Sequence, residues 1–198
     1  EFVITEKTGI QYHFQAVNGV VGDVAKLTKI IDNNGNAILL SYVDSKLNTV
    51  IDPDNRVISF HYYAGTEHIQ KIRFEWDGTE HFYYYNAKGN LQAYRNPEDA
   101  DKNIDSTIYS YNSNTNYACV GEDCVDHDHE MASFEYANGY KMNFEYYANG
   151  KIFRHYNAKG ESINFTYNGY RRESTTVNER GGTQQYVFNK DGLPLDIT

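Results

Sequence analysis

Residues Phe82–Leu91 read FYYYNAKGNL: four aromatics in a row, an Asn-x-x-Gly turn, then an apolar residue. The tetrapeptide NAKG returns letter for letter at Asn157–Gly160. One such string could be a ligand patch or an edge strand, whereas a recurring one points to a repeated architecture. The recurring signal is an aromatic or apolar residue, one spacer, then an aromatic. It occurs at Tyr12/Phe14, Leu40/Tyr42, Phe60/Tyr62, Phe82/Tyr84, Tyr109/Tyr111, Phe144/Tyr146, Phe165/Tyr167 and Tyr186/Phe188. Successive second members are 28, 20, 22, 27, 35, 21 and 21 residues apart. The base unit is therefore roughly 20–22 residues, a usual repeat length, lengthened near 15–26, 96–107 and 112–130.

Spacing by two places both members on one face of a strand. Turn strings follow, with Asn or Asp at the first position and Gly at the fourth: Asp32–Gly35, Asn86–Gly89, Asn157–Gly160 and Asn189–Gly192; Tyr147–Gly150 reads YANG. The Asx side chain accepts local backbone bonds, and Gly supplies the positive φ that closes a type I turn with a bulge. A second apolar pair, three apart, comes next: Leu27/Ile30, Leu47/Val50, Ile69/Ile72, Leu91/Tyr94 and Met131/Phe134. No stretch sustains the 3.6-residue period of an amphipathic helix. The sequence thus predicts an all-β chain, a continuous antiparallel meander of about fifteen short strands in a single segment, 1–198. Tyr42, Tyr62, Tyr84, Tyr111, Tyr146 and Tyr167 are expected to share one inward side as an aromatic ladder. Gly35, Gly89, Gly150, Gly160 and Gly192 are the expected turn glycines. Tyr63, Tyr83, Tyr85 and Tyr147 are expected on the other side.

The composition agrees with β-structure: 19 Tyr and 10 Phe among 198 residues, with 3 Pro and 1 Trp. A net charge of -9 makes nucleic acid and anionic membrane poor partners. No apolar run approaches the length that spans a bilayer. The opening EFVITEKTG has no apolar signal-peptide core and reads as a mature or internal segment.

The unit of about 20 residues, with an aromatic-x-Tyr pair, an Asx-rich turn and Gly-(Arg/Asn/Lys)-(Leu/Ile), resembles the YD-repeat, or Rhs-repeat, family. The matching stretches are Lys26–Tyr63, Phe82–Pro97 and Asn143–Tyr167. The strict Tyr-Asp dipeptide is absent. Its place is taken by Tyr-Asn at 85–86, 111–112 and 167–168, and the Gly-Arg pair becomes Asn55-Arg56, Gly89-Asn90 and Gly150-Lys151. A divergent wall-associated type from Gram-positive surface proteins looks nearest. The resemblance implies a β-sheet that spirals into a hollow shell and encloses a C-terminal toxin polypeptide, or forms part of an adhesion ectodomain. The partners would be the remainder of a large secreted or cell-surface polypeptide. The string HFYYYNAKGNL also resembles choline- or glucan-binding wall repeats, but those use Trp repeatedly, and Trp76 stands alone here. A carbohydrate-binding module would stack sugars on Tyr63, Trp76, Tyr83 and Tyr85.

Reactive groups gather in YACVGEDCVDHDHEM, Tyr117–Met131. Cys119 and Cys124 could close a disulfide, as expected of an exported protein, or remain free thiols. With His127 and His129 they could instead bind a transition metal, although the spacing matches no standard zinc finger. No cofactor is expected. No Gly-x-Ser-x-Gly elbow, P-loop or His-Glu-x-x-His occurs, so no enzyme is expected either. His13, His61, His68, His81 and His155 fall on predicted strands. Asn96–Thr107 lacks the Gly and terminal Glu of a calcium loop and reads as a solvated insertion.

Overall fold

The structure, a computed structural model, describes residues 2–16, 24–112, 129–190 and 193–197. Among these residues seventeen strands form one open antiparallel sheet. They are β1 (Phe2–Thr5), β2 (Gln11–Ala16), β3 (Ala25–Ile31), β4 (Ala37–Val43), β5 (Lys46–Ile51), β6 (Val57–Tyr62), β7 (Ile69–Phe74), β8 (Glu80–Tyr85) and β9 (Leu91–Arg95). After the short helix α1 (Pro97–Ala100) come β10 (Thr107–Tyr111), β11 (Met131–Tyr136), β12 (Lys141–Tyr146), β13 (Ile152–Asn157), β14 (Ser162–Asn168), β15 (Glu173–Asn178), β16 (Thr183–Phe188) and β17 (Pro194–Ile197). Helix α1 lies in the segment expected to be an irregular loop. Its cause is local: Asn96 Oδ1 accepts from Asp99 N at 2.8 Å and Pro97 opens the first turn, a standard N-terminal pairing.

The chain divides into two compact units, Glu1–Tyr84 with Tyr94–Ile104, and Tyr85–Ala93 with Asp105–Thr198. In the first unit, β1 through β8 each pair with the next strand. In the second, β10 through β17 do the same.

The turns follow the expected chemistry. Asp32 N–H donates to Asn36 O, and Gly35 N–H donates back to Asp32 O, at 3.0 and 3.1 Å. Asp32 Oδ1 also accepts from the backbone N–H groups of Asn34 and Asn36, both at 2.8 Å. The Asn36 side-chain amide, with those N–H groups, holds the Asp32 carboxyl below its usual range. The same pattern recurs at Asn86–Gly89 and Asn157–Gly160, while at Tyr147–Gly150 the backbone bonds recur and Lys151 N–H donates to Asn149 Oδ1 at 3.2 Å. Gly35, Gly89, Gly150 and Gly160 take φ of 86°, 79°, 77° and 84°; Gly192 lies outside the described residues. In the turn Asp52–Asn55 the same place is filled by Asn55 at φ 63°. A Cβ added at Gly35 would meet nothing within 4 Å, so conformation alone sets its cost. Gly35→Ala is expected to destabilise by about 1 kcal/mol and Gly35→Asn by clearly less, read from urea denaturation. Equal losses would show that the position does not depend on the left-handed conformation.

Within each unit the sheet has two unlike sides. Register places Leu40, Tyr42, Val50, Ile58, Phe60, Tyr62 and Ile72 on one side of the first unit. Ser41, Thr49, Ser59, His61, Lys71 and Arg73 occupy the other. In the second unit Tyr109, Phe134, Met142, Phe144, His155, Ile163 and Phe165 share a side, opposite Ser110, Ser133, Asn143, Glu145 and Arg154. Among the described residues Ala93, 6% exposed, is the only buried hydrophobic side chain. The side chains on the aromatic sides are thus mostly half-buried.

Candidate functional site

The repeat builds the same rung in successive hairpins. Register slips by one residue just before Phe14, Tyr42, Tyr62, Tyr111, Tyr146 and Phe188. Each slip leaves one residue of the following strand unopposed: Thr28, Asn48, Gln70, Ala132, Phe153 and Leu195. These are β-bulges, and they account for four of the apolar pairs three apart: Leu27/Ile30, Leu47/Val50, Ile69/Ile72 and Met131/Phe134. One extra residue between Leu27 and Ile30 returns both to the side of Phe14 and Tyr12, their partners.

A tyrosine hydroxyl from the next hairpin reaches the residue before the bulge. Tyr42 Oη donates to Leu27 O at 2.8 Å, Tyr62 Oη to Leu47 O at 2.9 Å, and Tyr146 Oη to Met131 O at 2.9 Å. Each bond spans fifteen residues. Tyr111 Oη donates to Leu91 O at 2.8 Å across twenty, since the insertion falls between them. A donor is thereby supplied where a bulge disturbs the backbone ladder. A lysine sixteen residues before the ring completes several rungs. Lys26 Nζ stands 5.3 Å from the Tyr42 centroid, Lys46 Nζ 5.5 Å from Tyr62, and Lys151 Nζ 5.0 Å from Tyr167. Lys26 and Lys46 also donate to the carbonyls of Ser45 and Thr66. A hydroxyl bond contributes about 1 kcal/mol and an exposed cation–π contact about 0.5–1 kcal/mol, so a rung outweighs a surface ion pair. Burial raises the hydroxyl pKa of Tyr42, Tyr62, Tyr111, Tyr146 and Tyr167 above the usual tyrosine range. Glu67 adds to the shift at Tyr62 and Glu130 at Tyr146.

Tyr84 is not in this ladder. Ile72 pairs with His81 and Lys71 with Phe82, so His81 and Tyr83 share the side of Tyr62, and Phe82 and Tyr84 face the opposite way. Strand alternation carries Tyr85 along with Tyr83. The expected facing is therefore reversed in β8. An unbroken run of aromatics satisfies an alternating pattern in either phase, so FYYY carried no phase information.

The residues proposed to meet sugars do not form one platform. Tyr83 packs 5.4 Å from the Tyr94 ring centroid, on the aromatic side. Tyr63 Oη donates to Tyr83 O at 3.1 Å, and burial, with Tyr84 nearby, raises its pKa. Trp76 is 46% exposed, but it stacks on Phe74 at 4.9 Å and 8° and carries the Arg56 guanidinium 5.6 Å from its centroid. Cys119, Cys124 and His127 lie outside the described residues; His129 Nδ1 is hydrogen-bonded with Asn90 Oδ1.

Sequence reading missed the polar side. Lys71 Nζ and Arg73 Nη1 converge on Glu80 Oε1 at 2.8 and 3.0 Å, and Arg73 Nε meets Glu75 Oε2 at 3.0 Å. Ser59 Oγ donates to Glu75 Oε1 at 2.5 Å, with His61 Nε2 3.3 Å away. Arg154 and Glu145 make a similar cross-strand pair at 2.8 Å in the second unit. The signal available in sequence was Lys/Arg and Glu at alternate strand positions.

No family model matches this sequence, and no curated protein matches it. Among solved structures, the chain is similar to part of the Photorhabdus luminescens Tc holotoxin pore. The identity is 14% over 96% of this chain and 14% of that one, with a TM-score of 0.44. It is likewise similar to TcdB2-TccC3 without its hypervariable C-terminal region, at 12% identity over 93% of this chain and 9% of that one, TM-score 0.43. The chain spans less than a sixth of either matched chain. No helix among the described residues is long and apolar enough to cross a membrane.

Proposed function

We propose that this chain is a stretch of YD/Rhs-type β-wall from a large secreted or cell-surface bacterial protein, and that it bounds or presents an associated polypeptide such as a toxin. The observation that carries this reading is the two-sidedness of the sheet. Each unit repeats the same rung, gathers most of its strand aromatics on one side and its cross-strand ion pairs on the other (Phe82, Tyr84 and Tyr156 are the exceptions), and among the described residues buries hardly any side chain completely. A free-standing domain packs its apolar side against a second layer. A wall segment instead turns that side toward whatever it encloses. In this role the chain performs no reaction; its work is rigidity, supplied rung by rung.

The test uses the full polypeptide from which this chain comes. A photo-crosslinking aromatic at Phe60 or Phe144 is expected to capture a segment from elsewhere in that polypeptide. The same group at Ser59 or Glu145, on the polar sides, is expected to capture none. Capture from the polar positions only, or from none of the four, would overturn the reading.

A further inference from the structure

His155 sits in β13 on the aromatic side of the second unit, opposite Phe144 of β12 and Ile163 of β14. Its ring centroid lies 6.2 Å from that of Phe144 and 5.5 Å from that of Phe165, tilted by 51° and 46°. Nδ1 is buried and has no hydrogen-bond partner. Beside it opens a cavity of about 300 Å³, also lined by Tyr140, Met142, Glu161 and Glu179. On this side the titratable groups of the two flanking strands are Tyr146 of β12 and Tyr167 of β14, and around the cavity stand Tyr140, Glu161 and Glu179. Both carboxylates are engaged elsewhere: Glu161 Oε2 accepts from Asn157 Nδ2 at 2.6 Å, and Glu179 Oε2 accepts from Ser162 N at 3.2 Å. Arg154, next in the chain, faces the other way and pairs with Glu145.

We propose that His155 is an acid-release point: protonation of its ring loosens β12, β13 and β14 while the rest of the sheet holds. An imidazolium needs acceptors at both nitrogens, and Nδ1 has none. Attraction to the flanking phenyl rings offsets only part of the cost of a charged, buried donor that has no acceptor. Burial lowers the pKa of His155 below its ordinary 6.5. The unfolded chain therefore takes the proton first. The stability that neutral His155 contributes is complete above about pH 6.5 and is lost as pH falls through that value toward the folded pKa. His81, also on an aromatic side, differs because Tyr94 Oη lies 2.6 Å from its Nδ1.

Hydrogen exchange of the whole protein at pH 7.5 and pH 5.5, corrected for intrinsic exchange rates, tests this directly. Peptides covering Lys141–Tyr146, Ile152–Asn157 and Ser162–Asn168 are expected to lose protection severalfold in acid, and to keep it in His155→Phe. Equal loss in the variant, or none in the wild type, overturns the proposal. Should His155→Phe fail to fold, an NMR titration of the wild-type imidazole decides: a pKa at or above about 6.5 would refute it.

Discussion

Tyr146→Ala is expected to destabilise the second unit by about 3 kcal/mol, and Tyr146→Phe by about 1 kcal/mol. The larger change removes the ring from between the strands. The smaller one removes only the hydroxyl and leaves Met131 O, beside the bulge at Ala132, without that donor. Tyr84→Phe serves as the contrast, since Tyr84 faces away from the ladder in its own unit; its cost is expected to stay within about 0.5 kcal/mol. Repeat arrays need not unfold all at once. Urea denaturation should therefore be accompanied by hydrogen exchange over β11 and β12. Equal costs for Tyr146→Phe and Tyr84→Phe would remove the hydroxyl from any role in the rung.

The second large effect is expected in alkali. The ladder tyrosines Tyr42, Tyr62, Tyr111, Tyr146 and Tyr167 all have hydroxyls pushed upward by burial. A tyrosine in the unfolded chain gives up its proton near pH 10, before the folded one does. Unfolding then releases protons, so the stability these groups contribute is complete below about pH 10 and is lost as pH rises through the folded values. Ionisation also destroys the donor that the hydroxyls of Tyr42, Tyr62, Tyr111 and Tyr146 supply. The sheet should therefore melt above about pH 10, with several tyrosinates appearing together in the near-ultraviolet as the circular dichroism of the strands disappears. A sheet that survives full tyrosinate formation would contradict this account.

Much of the architecture was readable because the repeat writes its own grammar. Asx at one end of a turn and Gly at the other announce where strands stop, and an aromatic pair two apart announces a strand with one apolar side. The spacing of three in Leu27/Ile30 and Leu47/Val50 was visible too, but its meaning was not. It marks a bulge, and bulges appear only when two strands are placed side by side. The phase of β8 failed for the opposite reason: Phe82, Tyr83, Tyr84 and Tyr85 offer too much signal, and only pairing with β7 chooses between them. The Lys71–Glu80–Arg73–Glu75 cluster is a product of register, which no single strand encodes. The unpartnered Nδ1 of His155 depends on two rings from neighbouring strands, Phe144 and Phe165, and so could not be foreseen from a lone histidine.

The Tyr111–Leu91 bond keeps the same form as its counterparts although five more residues separate its ends. Whatever the chain does between Arg95 and Thr107, the ribbon is stitched shut behind it. Evolution, or an engineer, can therefore graft a passenger segment at that hairpin end and alter what the surface displays, with no need to recut the fabric that holds it.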